Sequence, residues 1–178
     1  MSMSAGGRTI SDSSGAVGAV MGATGGVGGA VRYSPLTAMR TELGMVAALL
    51  AAVPGVRALR DATRGGVATI LNEIAKAADV GVVVAEEAIP VRTEVRGAAE
   101  LLGIDPLYVA CEGRLVAVVA GDQADHALAA LRAHPLGEQA AIIGEVTADP
   151  PGLVTLKTVF GGTRIVDLLV GDPLPRIC

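Results

Sequence analysis

Downstream of residue 40, apolar positions switch between a period near 3.6 and short β-branched runs, as in alternating helices and strands. Thr41 is placed to cap a helix running to about Ala52, which Pro54-Gly55 stops. Val56 to Leu59 reads as a short strand. Asp61 then opens a second helix, where Val67, Ile70, Leu71 and Ile74 form one apolar stripe through to Ala78. Gly81 to Ala85 has the β-branched character of a buried strand. Thr93 to Leu102 is a third helix, preceded by Pro90 and ended by Gly103. Leu115 to Ala120 is a strand, and Asp122, placed as a cap, begins a helix to Ala133. Ala140 to Val146, Leu153 to Val159 and Arg164 to Leu168 finish the set as strands. The order α-β-α-β-α-β-α-β-β-β predicts an α/β fold, an α+β sandwich of one mixed sheet with helices on one face.

Residues 1–40 break this pattern. Glycine, alanine, serine and valine dominate, and runs such as Gly22 to Gly29 offer no bulky side chains to bury. Neither G-x-G-x-x-G nor G-x-x-x-x-G-K-[ST] occurs there, so no nucleotide loop is read into the glycines. The expectation is a flexible segment over 1–40, one domain over 41–170, and a flexible tail over 171–178.

The 178 residues suffice for one domain with a substantial core. Hydrophobic residues make up 51%, carried by small side chains, with one Phe, two Tyr and no Trp. Charges, Gly or Pro interrupt every apolar stretch long enough to span a membrane, and no secretory signal pattern opens the chain. A cytoplasmic location is expected, which would keep thiols reduced. With a net charge of −4 and Lys76 and Lys157 as the only lysines, the composition argues against a nucleic-acid partner.

The candidate chemistry begins at Cys178, on a tail stiffened by Pro173 and Pro175. From Gly171 onward such a tail reaches about 20–25 Å, and reads either as a frayed terminus that happens to end in Cys or as an arm that carries a thiol into other active sites. Sulfur is a strong nucleophile once ionised, and Arg176 favours the thiolate. The run Asp61-Ala-Thr-Arg-Gly-Gly66 sits on a strand-to-helix turn. Thr63, Arg64, Gly65 and Gly66 read either as a phosphate cradle at a helix N-terminus or as a well-capped tight turn with a surface arginine. Glu112, before a strand and beside Gly113, reads as a solvated loop carboxylate, with general base as the alternative. His126, His134, Cys111 and Cys178 offer no metal-ligand spacing, so no metal site is expected. Phe160-Gly-Gly-Thr-Arg164 reads as a hairpin turn, with a phosphate-facing loop as the alternative.

Several ordered motifs together resemble a known family. They are Arg60 to Thr69, Asn72-Glu73-Ile74, Glu87 to Arg92, Leu102 to Tyr108, Glu112-Gly113, His134 to Gly137, Ile142 to Glu145, Phe160 to Asp167 and Pro175 to Cys178. The chain from about Leu43 to Cys178 is similar to HypE, the carbamoyl dehydratase family of [NiFe]-hydrogenase maturation, a PurM-like group of AIR synthase-related proteins. The resemblance implies a C-terminal cysteine, here Cys178, that accepts a carbamoyl group from a HypF-type carbamoyltransferase. It implies ATP with Mg²⁺ for dehydration to thiocyanate, and delivery of cyanide to iron on a HypC–HypD scaffold. It also makes Glu112 the base, which reverses the reading from the residues alone. Full-length members imply a homodimer. The family's preceding ATP-binding domain has no counterpart in residues 1–40, so this chain alone is expected to be inactive in dehydration. The alternative is a non-catalytic carrier or interaction module, or a degenerate fragment. Ala62 and Cys111 replace the family's usual Pro and Asn.

Overall fold

The computed structural model describes residues 18–24, 35–111 and 113–168, with side chains described from residue 43 onward. Among the described residues, seven strands form one sheet: β1 (Gly18–Thr24), β2 (Val56–Asp61), β3 (Gly81–Ala85), β4 (Arg114–Val119), β5 (Ala141–Thr147), β6 (Val154–Lys157) and β7 (Thr163–Ile165). Four helices accompany them: α1 (Pro35–Ala52), α2 (Gly66–Ala78), α3 (Thr93–Leu102) and α4 (Ala124–Arg132). The strand order is β2-β4-β1-β5-β3-β6-β7. Only β3 and β6 pair in parallel, so the sheet is mixed as expected.

The most informative strand is β1, because it lies in the segment expected to be flexible. Gly18–Thr24 pairs with β4 on one side and β5 on the other, in the middle of the sheet. The expectation for residues 1–40 is corrected there. Small residues cost entropy in isolation, but two hydrogen-bonding neighbours supply partners for both edges of the strand. Helix α1 likewise starts earlier than expected. Pro35 begins it, at the position where a missing N–H costs nothing, and Thr41 lies inside rather than at the cap.

The sheet is covered on both faces, not on one. Along β4, Val116 and Val118 enter a core with Ile70, Leu71 and Ala75 of α2, while Ala117 and Val119 enter another with α1 and α4. Strand alternation divides them, since successive side chains point to opposite faces. Met45 and Leu49 of α1, and Val53 just beyond its end, repeat every four residues and meet Ala127 and Leu131 of α4. Each large aliphatic side chain so buried contributes about 1.5–3 kcal/mol. A bulge at Ile143, opposite Val20 and Met21, shifts the parity of β5. Ala141, Ile143 and Val146 therefore all join the α2-side core.

The local predictions for β3, α3 and the β6–β7 hairpin stand close to their expected bounds. The opening of α2 at Asp61 and the cap at Asp122 do not. Gly65, in the left-handed region at φ 73°, precedes α2 with no side-chain cap. Asp122 lies in a 3-10 turn, Gly121–Gln123, where Gln123 Oε1 accepts from Gly55 N–H at 2.9 Å.

Candidate functional site

The turn Thr63–Gly66 and the segment around Glu112 are far apart in sequence, but backbone hydrogen bonds join them. Ala62, fully buried at the end of β2, donates to Arg114 O at 2.9 Å and accepts from Cys111 N–H at 2.8 Å. The residues flanking Glu112 are thereby stitched to the residue preceding Thr63. Glu112 itself lies outside the described residues. Cys111 is a free, half-buried thiol, less enclosed than its apolar neighbours suggest.

Glycine is required at the start of α2 for two reasons. Gly66 has φ 61°, and a Cβ there would run into the carbonyl oxygens of Leu107 and Val109. The helix N-terminus is pressed against segment 107–109 with no room for a side chain. Within the turn, Gly66 N–H donates to Thr63 O at 3.0 Å and Thr69 N–H donates to Gly65 O at 3.2 Å. Arg64 is exposed, with no ion pair among the described residues.

The chain beyond β7 leaves from beside this turn. Asn72, buried on α2, donates through Nδ2 to Ala68 O at 3.0 Å and to Val166 O at 2.8 Å. Tyr108 Oη donates to Asp167 O at 2.9 Å. Burial first, and the Asp105 carboxylate second, raise the pKa of the Tyr108 phenol, while Arg164 pulls the other way. The phenol is thus held in its protonated, donating form. Asn72 and Tyr108 both sit within the motifs quoted above, yet nothing in their spacing marks them as the residues that hold the root of the tail. Cys178 lies outside the described residues.

The profile of AIR synthase related proteins, C-terminal domain, matches residues 11–157. The chain belongs to this family. Its match begins ahead of β1, in accord with the place of that strand in the sheet. The resemblance to HypE stands too. Carbamoyl dehydratase HypE of Azotobacter vinelandii is 56% identical over 135 residues, covering 76% of this chain and 40% of that protein. HypE of Cupriavidus necator is 59% identical over 134 residues, covering 75% and 38%. The chain therefore spans about 40% of the length of these curated relatives. Escherichia coli HypE superposes with a TM-score of 0.76 at 40% identity, covering 93% of this chain and 54% of that one. HypE in complex with ATP gives a TM-score of 0.74 at 35% identity, covering 89% and 52%.

At the start of α2 the space beside both glycines is filled by the protein itself, at Gly65 by the Thr69 side chain and at Gly66 by the carbonyls of Leu107 and Val109, while Arg64 brings an exposed guanidinium without a described ion pair. Among the described residues no three His, Cys, Asp or Glu side chains gather as a metal site. No described helix is long and apolar enough to cross a membrane.

Proposed function

We propose that the chain works as the C-terminal part of a HypE-type hydrogenase maturation protein. The identity of 56–59% to HypE proteins carries this reading. Cys178 is the acceptor. Its thiolate attacks the carbonyl carbon of a carbamoyl group delivered by a HypF-type carbamoyltransferase, and the new C–S bond replaces the bond to the donor. A solved HypE–HypF complex, whose HypE resembles this chain at a TM-score of 0.72 and 36% identity, supports that partner class.

The S-carbamoyl group then loses water: its oxygen departs, both N–H protons are removed, and a thiocyanate remains on sulfur. Glu112 takes an N–H proton, a reading supported by the backbone bonds that hold Cys111 and Arg114 against Ala62, next to the Thr63–Gly66 turn. ATP, with Mg²⁺, supplies the phosphoryl group that makes the oxygen a leaving group. Thr63, Arg64, Gly65 and Gly66 hold phosphate at the positive end of α2. Cyanide passes to iron carried on a HypC–HypD scaffold, with two electrons from a reductant on that scaffold breaking the S–C bond and leaving Cys178 as its thiolate, and the working assembly is a homodimer located in the cytoplasm.

The test is to incubate the chain with a HypF-type carbamoyltransferase, carbamoyl phosphate and ATP, then map the added mass by peptide sequencing. A carbamoyl group on Cys178, absent in Cys178→Ala, is the expected outcome. Label on Cys111, or label that survives Cys178→Ala, overturns the assignment. With a full-length relative supplying the rest, Glu112→Gln should still be carbamoylated but should form no thiocyanate. A normal rate of thiocyanate formation would return Glu112 to a loop carboxylate.

A further inference from the structure

A second charged site lies on the α2 face of the sheet, in a cavity of about 50 Å³. None of Thr63, Arg64, Gly65 or Gly66 lines it. Its apolar lining includes Val67, Ile89, Leu107 and Leu156. Five charged side chains also border it: Arg96 of α3, Arg114 of β4, Arg164 of β7, and the carboxylates Glu86 and Asp105.

The carboxylates are already engaged. Asp105 Oδ2 pairs with Arg164 at 2.5 Å, and its Oδ1 accepts from Leu107 N–H at 2.9 Å. Glu86 Oε2 accepts from Val159 N–H at 3.0 Å. Arg96 and Arg114, by contrast, have no ion pair or side-chain hydrogen bond among the described residues. Three guanidiniums thus face two carboxylates, and with Asp105 paired to Arg164 only Glu86 stands against Arg96 and Arg114, a surplus of one positive charge at the pocket. An anion that joins the two arginines offsets that surplus. Guanidinium presents paired donors that match an oxyanion in bidentate fashion, and a doubly charged phosphoryl group answers two of them.

We infer that the cavity bounded by Arg96, Arg114 and Arg164 binds a phosphoryl anion. Its volume admits the phosphate itself, and any organic remainder projects outward past the exposed Arg96. This inference is independent of the assignment of Cys178.

The experiment is calorimetric titration of the whole chain with inorganic phosphate, ribose 5-phosphate and acetate, at matched ionic strength. Phosphate should bind with saturation. Arg96→Gln, at an exposed position that tolerates change, should weaken it about tenfold, the loss of one charge-assisted pair. Arg114→Gln should weaken it similarly, with Arg114→Lys retaining part of the binding should the neutral variant misfold. Arg57→Gln, at an exposed arginine outside the lining, should leave it unchanged. Tighter binding of ribose 5-phosphate would assign the site to a phosphorylated metabolite, and equal binding to free phosphate. Acetate binding as well as phosphate, undiminished phosphate binding in Arg96→Gln, or no phosphate binding at all would overturn the inference.

Discussion

Gly66 shows how one residue can carry both conformational and packing demands. Its φ of 61° is left-handed, and the carbonyls of Leu107 and Val109 occupy the space a Cβ would need. The left-handed conformation costs an L-residue about 1–2 kcal/mol, and overpacking adds about 1–3 kcal/mol. Gly66→Ala should therefore lose about 2–5 kcal/mol of stability in urea unfolding. Gly97 is the contrast, since it sits within α3 with nothing within 4 Å of a Cβ. There the change to alanine should gain about 0.5–1 kcal/mol by favouring helix. Equal effects at the two positions would show that the contact with 107–109 does not constrain α2.

At the level of elements, α2 and β7 depend on one buried amide. Asn72 is the only buried polar side chain in the described core, and its Nδ2 joins Ala68 O to Val166 O. Val166 N–H in turn donates to Val154 O at 2.9 Å, so the bond holds the end of the β6–β7 hairpin against the helix. Removing it leaves a buried carbonyl short of a donor, at a cost of about 1–3 kcal/mol. Asn72→Ala should lower the unfolding free energy by that amount. It should also speed amide exchange in β7 while leaving β5 protected. Uniform acceleration across the sheet would instead make Asn72 an ordinary core residue. The consequence for function is positional, because the chain towards Cys178 departs from the residues that Asn72 and Tyr108 hold.

For the molecule as a whole, β1 decides integrity. It pairs with β4 from Ala19↔Val119 to Thr24↔Arg114, and with β5 from Gly18↔Val146 to Gly22↔Ala141. Without it, two central strands lose their partners and the sheet separates into β2-β4 and β5-β3-β6-β7. A chain beginning at residue 35 should fail to unfold cooperatively and should elute as aggregate, because unpaired internal edges recruit other chains. A monomeric, cooperatively unfolding product would show that the other six strands close without β1.

Local chemistry made much of the fold legible. The stripe Val67-Ile70-Leu71-Ile74, the β-branched run before Ala85, and Gly103 after Leu102 are short-range signals, and α2, β3 and α3 fall where they point. The ordered motifs made the HypE resemblance legible as well. The place of β1 was not legible, because small residues carry no periodic pattern and the partners of Gly18–Thr24 lie about 100 residues or more away in sequence. Burial on both faces emerged only when α1 and α4 packed together against alternate residues of β4. The same holds for the sites. Ala62 reads as an unremarkable substitution until its two backbone bonds draw segment 111–114 to the Thr63–Gly66 turn. Arg96, Arg114 and Arg164 belong to three separate elements, and only chain folding brings their charges around one cavity. Periodicity and turn chemistry act over a few residues, whereas strand pairing and charge clustering depend on which distant segments meet, and tertiary packing decides that.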